Sequence, residues 1–185
     1  MKTISKFLLL FPLFFAPVLA EENSDQPTES TPVQKPEVVK HVYGHDEQVV
    51  LPQLNNIQLH AKLDTGAKTA SLSAKEIKIF TKNKEKWVRF QLEKNNKTYE
   101  FPIKRMSRIK NREGERMHEG VPTSSERPVI ELEICLGNQR KKMEVNLQDR
   151  SRFQYPILIG KVGLIKLKAV VDPALSETTQ PNCQQ

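Results

Sequence analysis

A chain of 185 residues with 37% hydrophobic residues and a formal charge of +7 at pH 7 carries apolar material for one core of ordinary domain size and not for two. The positive excess favours an acidic substrate, an anionic membrane surface or nucleic acid as partner. Nucleic acid is the weakest of the three, because the basic stretches lack the interleaved aromatic side chains on which bases stack.

The N-terminus has Lys2 and Lys6, then an apolar run through Phe7 to Phe15, then Ala16-Pro17-Val18-Leu19-Ala20 before the acidic Glu21-Glu22. This is the pattern of a secretory signal peptide over residues 1–20, with cleavage after Ala20. The run is broken by Pro12 and Pro17 and falls short of the roughly 20 residues a spanning helix needs. No later segment is apolar enough to span a bilayer, so the expectation is a periplasmic or secreted protein with no integral membrane segment after signal removal. Loss of Lys2 and Lys6 lowers the charge of +7 by two.

Residues 21–45 are rich in Glu, Ser, Thr, Pro, Gln and Lys. Such a mixture buries too little surface to offset the entropy of ordering, and it reads as a disordered tether. The domain is placed at 46–174, and 175–185 reads as a flexible tail. Candidate strands begin with Val49-Val50-Leu51 and Ile57-Gln58-Leu59-His60-Ala61-Lys62-Leu63. The second of these leads into Asp64-Thr65-Gly66, a carboxylate at the end of an apolar strand in a turn of small residues. Ser73-Ala74-Lys75-Glu76 has the spacing of a helix-capping box but is read as strand. Trp87 to Leu92 and Thr98 to Ile103 flank Lys94-Asn95-Asn96-Lys97, a hairpin turn whose asparagines tolerate positive φ. A second hairpin joins Pro128–Leu136 to Arg140–Leu147 through Gly137-Asn138-Gln139.

Between the hairpins, residues 106–125 show no periodicity and read as the longest structureless connection, a candidate substrate cover. Basic residues crowd there (Lys104, Arg105, Arg108, Lys110, Arg112, Arg116) and again at Arg140, Lys141 and Lys142. These are read as solvated faces or as an electrostatic lure for an acidic substrate. Asp149, beside Arg150 and Arg152, is either a turn residue paired with one of those arginines or a second acid for Asp64. An apolar run, Tyr155 to Leu158, continues into Ile159-Gly160 and Lys161-Val162-Gly163. Cys135 falls in a strand and Cys183 in the tail. The expectation is no essential disulfide, with a clip of the tail as the alternative.

Two features together carry a family resemblance. The first is Ala61-Lys62-Leu63-Asp64-Thr65-Gly66-Ala67-Lys68-Thr69. The second is Tyr155-Pro156-Ile157-Leu158-Ile159-Gly160, preceded by Val145 to Gln154 and followed by Val171-Asp172-Pro173. The span from about Val49 to Pro173 resembles the bacterial retropepsin-like aspartic peptidases often called "ATP-dependent zinc proteases", a family that includes the RimB-like proteins associated with glutamate ligases. The resemblance implies a mostly β fold, a small closed barrel of retropepsin type with at most one or two short helices.

It also implies a twofold homodimer, because the chain carries a single Asp-Thr-Gly and the chemistry needs two carboxylates sharing a proton. In that reading Asp64 is catalytic, Thr65 bonds across the axis and Gly66 orients the carboxylates. Ala67, Lys68 and Thr69 line the substrate channel, and Ile159 and Gly160 support the loop from below. The implied function is an exported aspartic endopeptidase acting on a peptide or protein substrate, with a leaning toward acidic peptides.

The family label notwithstanding, neither metal nor cofactor is expected. His41, His45, His60 and His118 show no zinc-binding pattern, and no phosphate-binding glycine loop is present. Lys161, where an arginine is the usual continuation, and His45-Asp46, where an aromatic-basic pair is common, depart from the family pattern. They keep open a catalytically silent peptide-binding or scaffold module of the cell envelope. An envelope protein held to anionic surfaces by its basic loops is a third reading.

Overall fold

The computed structural model describes residues 38–110 and 124–183. Alternation of apolar and polar residues sets the architecture. In β3 (Ile57–Asp64) Leu59, Ala61 and Leu63 point into the core, while Gln58, His60 and Lys62 point out, as a period of two dictates. The same rule orders β2 (Asp46–Leu51), β9 (Ser124–Leu136) and β10 (Gln139–Gln148), whose inward residues Val49, Leu51, Ile130, Leu132, Ile134, Met143, Val145 and Leu147 fill one core.

With β4 (Ala70–Ser73) and β11 (Ile157–Gly160), these strands run in the order β10-β4-β11-β3-β2-β9. Pairing of β9 with β10 closes the ring, giving a six-stranded barrel without free edges. The chain is therefore mostly β, as the resemblance implied. Its one α-helix among the described residues is α1 (Lys161–Lys166), with a 3-10 turn at Pro52–Leu54.

Three further parts attach to the barrel. A three-stranded sheet of β5 (Lys75–Lys82), β6 (Glu85–Gln91) and β7 (Thr98–Pro102) packs Val88, Phe90 and Tyr99 onto the core. The strand reading of residues 75 and 76 holds, with a bulge between Lys75 and Lys78 and Glu76 at φ +50°. Both predicted hairpins are present. Asn96 takes φ +51° in the first, and Gly137 takes φ +54° in the second, where a side chain would be strained.

β8 (Arg105–Lys110) pairs with the start of β9, Arg105 opposite Val129 and Lys110 opposite Ser124. The connection expected to be structureless is therefore strand at both ends, in two arms that extend past the barrel. Residues 111–123, with Arg112, Arg116 and His118, lie outside the described residues.

Two boundaries move. Ordered structure begins before position 46, with β1 (His41–Gly44) pairing in parallel with β12 (Ala169–Asp172). The tail after Leu175 is docked rather than loose. His45 donates its N–H to the Leu175 carbonyl, Glu177 donates to Asp46, and Asn182 donates to Gly137. Cys183 is joined to Cys135, which corrects the expectation of no essential disulfide. Their Cα atoms lie 5.9 Å apart, within the span a disulfide bridges. The expected signal peptide, residues 1–20, and residues 21–37 of the expected tether lie outside the described residues.

Candidate active site

Asp64 is the last residue of β3, on the face that looks away from the core together with Lys62. Its Oδ1 accepts the backbone N–H groups of Gly66 at 3.0 Å and Ala67 at 3.1 Å. One carboxylate oxygen is thus fixed by the turn, and the side chain stands half-buried at the wall of a cavity of about 520 Å³.

The turn is held from beneath by β11, which runs parallel to β3 with Gly160 opposite Asp64. Lys161 and Val162 donate their N–H groups to the Ala67 and Lys68 carbonyls at 2.8 and 3.1 Å. Gly160 is the tightest point. A Cβ there would lie 2.6 Å from the Thr69 carbonyl oxygen and 2.8 Å from that of Ala67, closer than non-bonded atoms approach. At Gly66 a Cβ would meet Asp64 Oδ1 at an ordinary 3.4 Å. The steric need for glycine therefore sits under the loop more than in the Asp-Thr-Gly triplet. Ile159 and Gly160 are buried supports, Thr65 and Gly66 form the exposed tip, and Ala67, Lys68 and Thr69 line the cavity beside Asp64.

The cavity runs along the outer face of the barrel under the β8 and β9 arms. Among the described residues, Asp64 is the single acid on its lining, against four cations: Lys62, Lys68, Arg127 and Arg150. Arg150 is 7% exposed. It donates from Nε to the Tyr155 carbonyl at 3.3 Å and stacks on Phe153 with 4.5 Å between guanidinium and ring. On the floor, the Ser71 hydroxyl donates to Asn146 Oδ1 at 3.0 Å, and Asn146 Nδ2 donates to the Ala70 carbonyl at 2.7 Å. Ile109, Phe153 and Leu158 add apolar wall. Burial, with the nearby Asp46 carboxylate second, raises the Tyr155 phenol above its usual range and keeps it protonated.

Of the described members of the basic stretch singled out in the sequence, Lys104, Arg105 and Arg108 do not line the cavity. Arg105 and Arg108 are paired across strands with Glu144 and Glu126. The cations that do reach the cleft were legible only in part. Lys62 stands two residues from Asp64 on one strand and so had to share its face, whereas Arg127 and Arg150 arrive from strands and turns distant in sequence.

Asp149 is not a cleft residue. It is exposed, its Oδ1 accepts the Ser151 N–H at 2.8 Å, and it does not line the cavity. Hydrogen bonds from Ser151, followed by the charges of Lys75 and Arg152, lower its carboxyl below the ordinary value.

His45 Nδ1 contacts the Leu175 carbonyl at 2.8 Å, His60 lies 3.3 Å from Glu177, and His41 faces Gln139. His41 and His45, expected in a solvated tether, therefore belong to the folded domain. Among the described residues no three His, Cys, Asp or Glu side chains converge.

Comparison with known proteins agrees with this geometry. The family model described as "RimB-like: Retropepsin-like aspartic endopeptidase RimB" matches residues 42–182. A protein of Shewanella pealeana named "Probable alpha-L-glutamate ligase" is 29% identical over 137 residues, covering 74% of this chain and 29% of that protein. One of the same name from Parasynechococcus marenigrum is 28% identical over 134 residues, covering 72% of this chain and 28% of its own length. The chain thus spans less than a third of these curated relatives. A crystal structure of Lpg0085, a Legionella pneumophila protein of unknown function (DUF785), superposes with a TM-score of 0.60 at 36% identity. That match covers 77% of this chain and all of the other.

Proposed function

This chain belongs to the RimB-like family of retropepsin-like aspartic endopeptidases, and from that premise we propose that it is an exported peptidase whose catalytic pair is Asp64 from each of two subunits. The observation that carries the proposal is the fixed Asp64 turn, with Oδ1 held by Gly66 and Ala67 and the loop braced on Gly160, at the wall of a peptide-sized cleft.

Two carboxylates facing across a water share one proton. The ionised one takes a proton from the water as its oxygen attacks the peptide carbonyl, and the protonated one gives its proton to the carbonyl oxygen. Collapse of the tetrahedral intermediate returns protons through the same pair and releases the amine. Among the described residues each chain brings one such acid to its cleft, so the second comes from a second copy. The surface next to the loop suits that contact. Val162, whose N–H bonds to Lys68, is exposed, as are Ile165 and the register-paired Val42 and Val170. Exposed apolar side chains such as Val162 beside the loop are suited to an interaction surface.

Lys62 and Lys68 beside Asp64, on a chain of net charge +7, favour peptides rich in Glu or Asp, in keeping with relatives named glutamate ligases. The disulfide supports export, since such bonds persist in oxidising compartments.

Wild-type protein and the Asp64→Asn variant, each given a Glu-rich and an uncharged peptide, test this reading. Cleavage should be lost by at least about a thousandfold in the variant, with its melting temperature retained and the acidic peptide preferred by the wild type. Equal cleavage by both proteins removes Asp64 from the chemistry. Tight binding of uncut peptide by the wild type would instead assign the cleft to a scaffold.

A further inference from the structure

At the first inward position of β2 the alternation that fills the core meets an acid. Glu47 is fully buried between Tyr43 and Val49 on the core side of the sheet. A carboxylate is stable in such a place only when donors surround it. Four do. Gly44 donates its N–H to Oε1 at 2.7 Å, the Thr178 N–H donates to the same oxygen at 3.0 Å together with the Thr178 hydroxyl, and the Thr179 N–H reaches Oε2 at 3.1 Å. Three of the four donors come from the C-terminal segment. No salt bridge involves Glu47 among the described residues.

The same segment is fastened at its far end. Cys183 is bonded to Cys135 of β9, Arg140 Nη2 donates to the Cys183 carbonyl at 2.9 Å, and Asn182 donates to Gly137 at 2.6 Å. At its near end Leu175 and Glu177 bond to His45 and Asp46. The fit at Gly44 is close enough that a Cβ would meet the Leu175 carbonyl oxygen at 2.4 Å. The His45 carbonyl in turn accepts the N–H of Leu63, the residue before Asp64, at 2.8 Å. A continuous run of backbone contacts therefore joins the disulfide to the catalytic strand end.

We propose that residues 175–183 form a redox-controlled clasp: the Cys135–Cys183 bond keeps the segment on Glu47, and its reduction releases the segment and loosens the Asp64 turn. The effect on cleavage rests on the peptidase reading above, whereas the structural effect does not. A dithiol reductant attacks with one thiolate at a cystine sulfur, most accessibly at half-buried Cys183, since Cys135 is 2% exposed. The sulfur–sulfur bond breaks and a mixed disulfide forms. The second thiol then closes on the first, so the reductant leaves as a disulfide and Cys135 and Cys183 each end as a thiol, two electrons and two protons having been transferred. Oxidation by a disulfide-bearing partner runs the steps backwards. Once freed, Thr178 and Thr179 no longer serve Glu47, and His45 loses one of the two backbone bonds that hold it between the segment and Leu63.

Amide hydrogen exchange on the full chain, oxidised and then reduced with dithiothreitol, tests the clasp without relying on catalysis. Exchange at Thr178 and Thr179 should rise at least about tenfold on reduction and at Leu63 severalfold, with Val88 of β6 unchanged. Cleavage should fall together with Leu63 protection. If reduction also exposes Val88, the domain has opened as a whole. Glu47→Gln with the disulfide intact then takes its place, with faster exchange at Thr178, Thr179 and Leu63 expected.

Protection of Thr178 and Thr179 that survives reduction would overturn the redox control. Loss of that protection with Leu63 unmoved would overturn the link to the site. The predicted exchange changes in a protein that cuts no peptide in either state would uphold the clasp and dismiss the peptidase reading.

Discussion

Asp64 and Asp149 are built alike at the scale of a turn and differ in everything around it. Each lets Oδ1 accept the N–H of the residue two places on, Gly66 for the first and Ser151 for the second. Asp149 is exposed, and its charge is held by Ser151, Lys75 and Arg152. Asp64 ends a barrel strand, is braced by Gly160 and the start of α1, and opens on a cation-lined cavity. The local motif is thus an ordinary Asx turn, and what separates a candidate catalytic acid from a surface turn is the strand packed beneath it.

If that is so, disturbing the brace should matter more than disturbing the second turn. Gly160→Ala places a methyl group 2.6 Å from the Thr69 carbonyl oxygen. The loop must move, and misplacement by about 1 Å costs on the order of a hundredfold in rate. Overpacking should also take about 1–3 kcal/mol from stability. Peptide cleavage and thermal melting measure the two effects, and near wild-type values in both would break the contrast between the turns.

Asp149→Ala marks the small end of the scale, with cleavage expected within about twofold of wild type. Because folding lowers the Asp149 carboxyl, its contribution is present above the unfolded value near 4 and fades as pH falls through the folded one. A slight loss of melting temperature at neutral pH should accordingly persist down to about pH 4 and disappear only as the pH falls on through the lowered folded value. Loss of cleavage on the scale of Asp64→Asn would return Asp149 to the chemistry.

The cleft acid and its support were legible in the sequence because both lie in short contiguous blocks, Leu59 to Thr69 and Ile157 to Gly160, which together carry the family resemblance. The hairpins were legible through their turn residues, Asn96 and Gly137. The cationic lining was not, since Arg127 and Arg150 meet Lys62 only through pairing order across the closed sheet. The docked tail was misjudged by an argument that counts apolar burial alone. Residues 175–183 are held by hydrogen bonds to a buried carboxylate and by one covalent link, and neither leaves a hydrophobic signature. By closing a loop across a sequence separation of 48 residues, that link alone is worth about 2–4 kcal/mol. β8 escaped notice because a charged arm outside the closed barrel need not alternate.

Mixing subunits tests the shared site most directly. Wild-type protein is equilibrated with an equal amount of Asp64→Asn protein, and peptide cleavage is compared with that of wild type alone at the same total concentration. If each active centre draws Asp64 from two copies, random pairing leaves about one quarter of the dimers competent, and the rate should fall to that fraction. A rate of one half would mean that each chain works by itself, and would contradict the account.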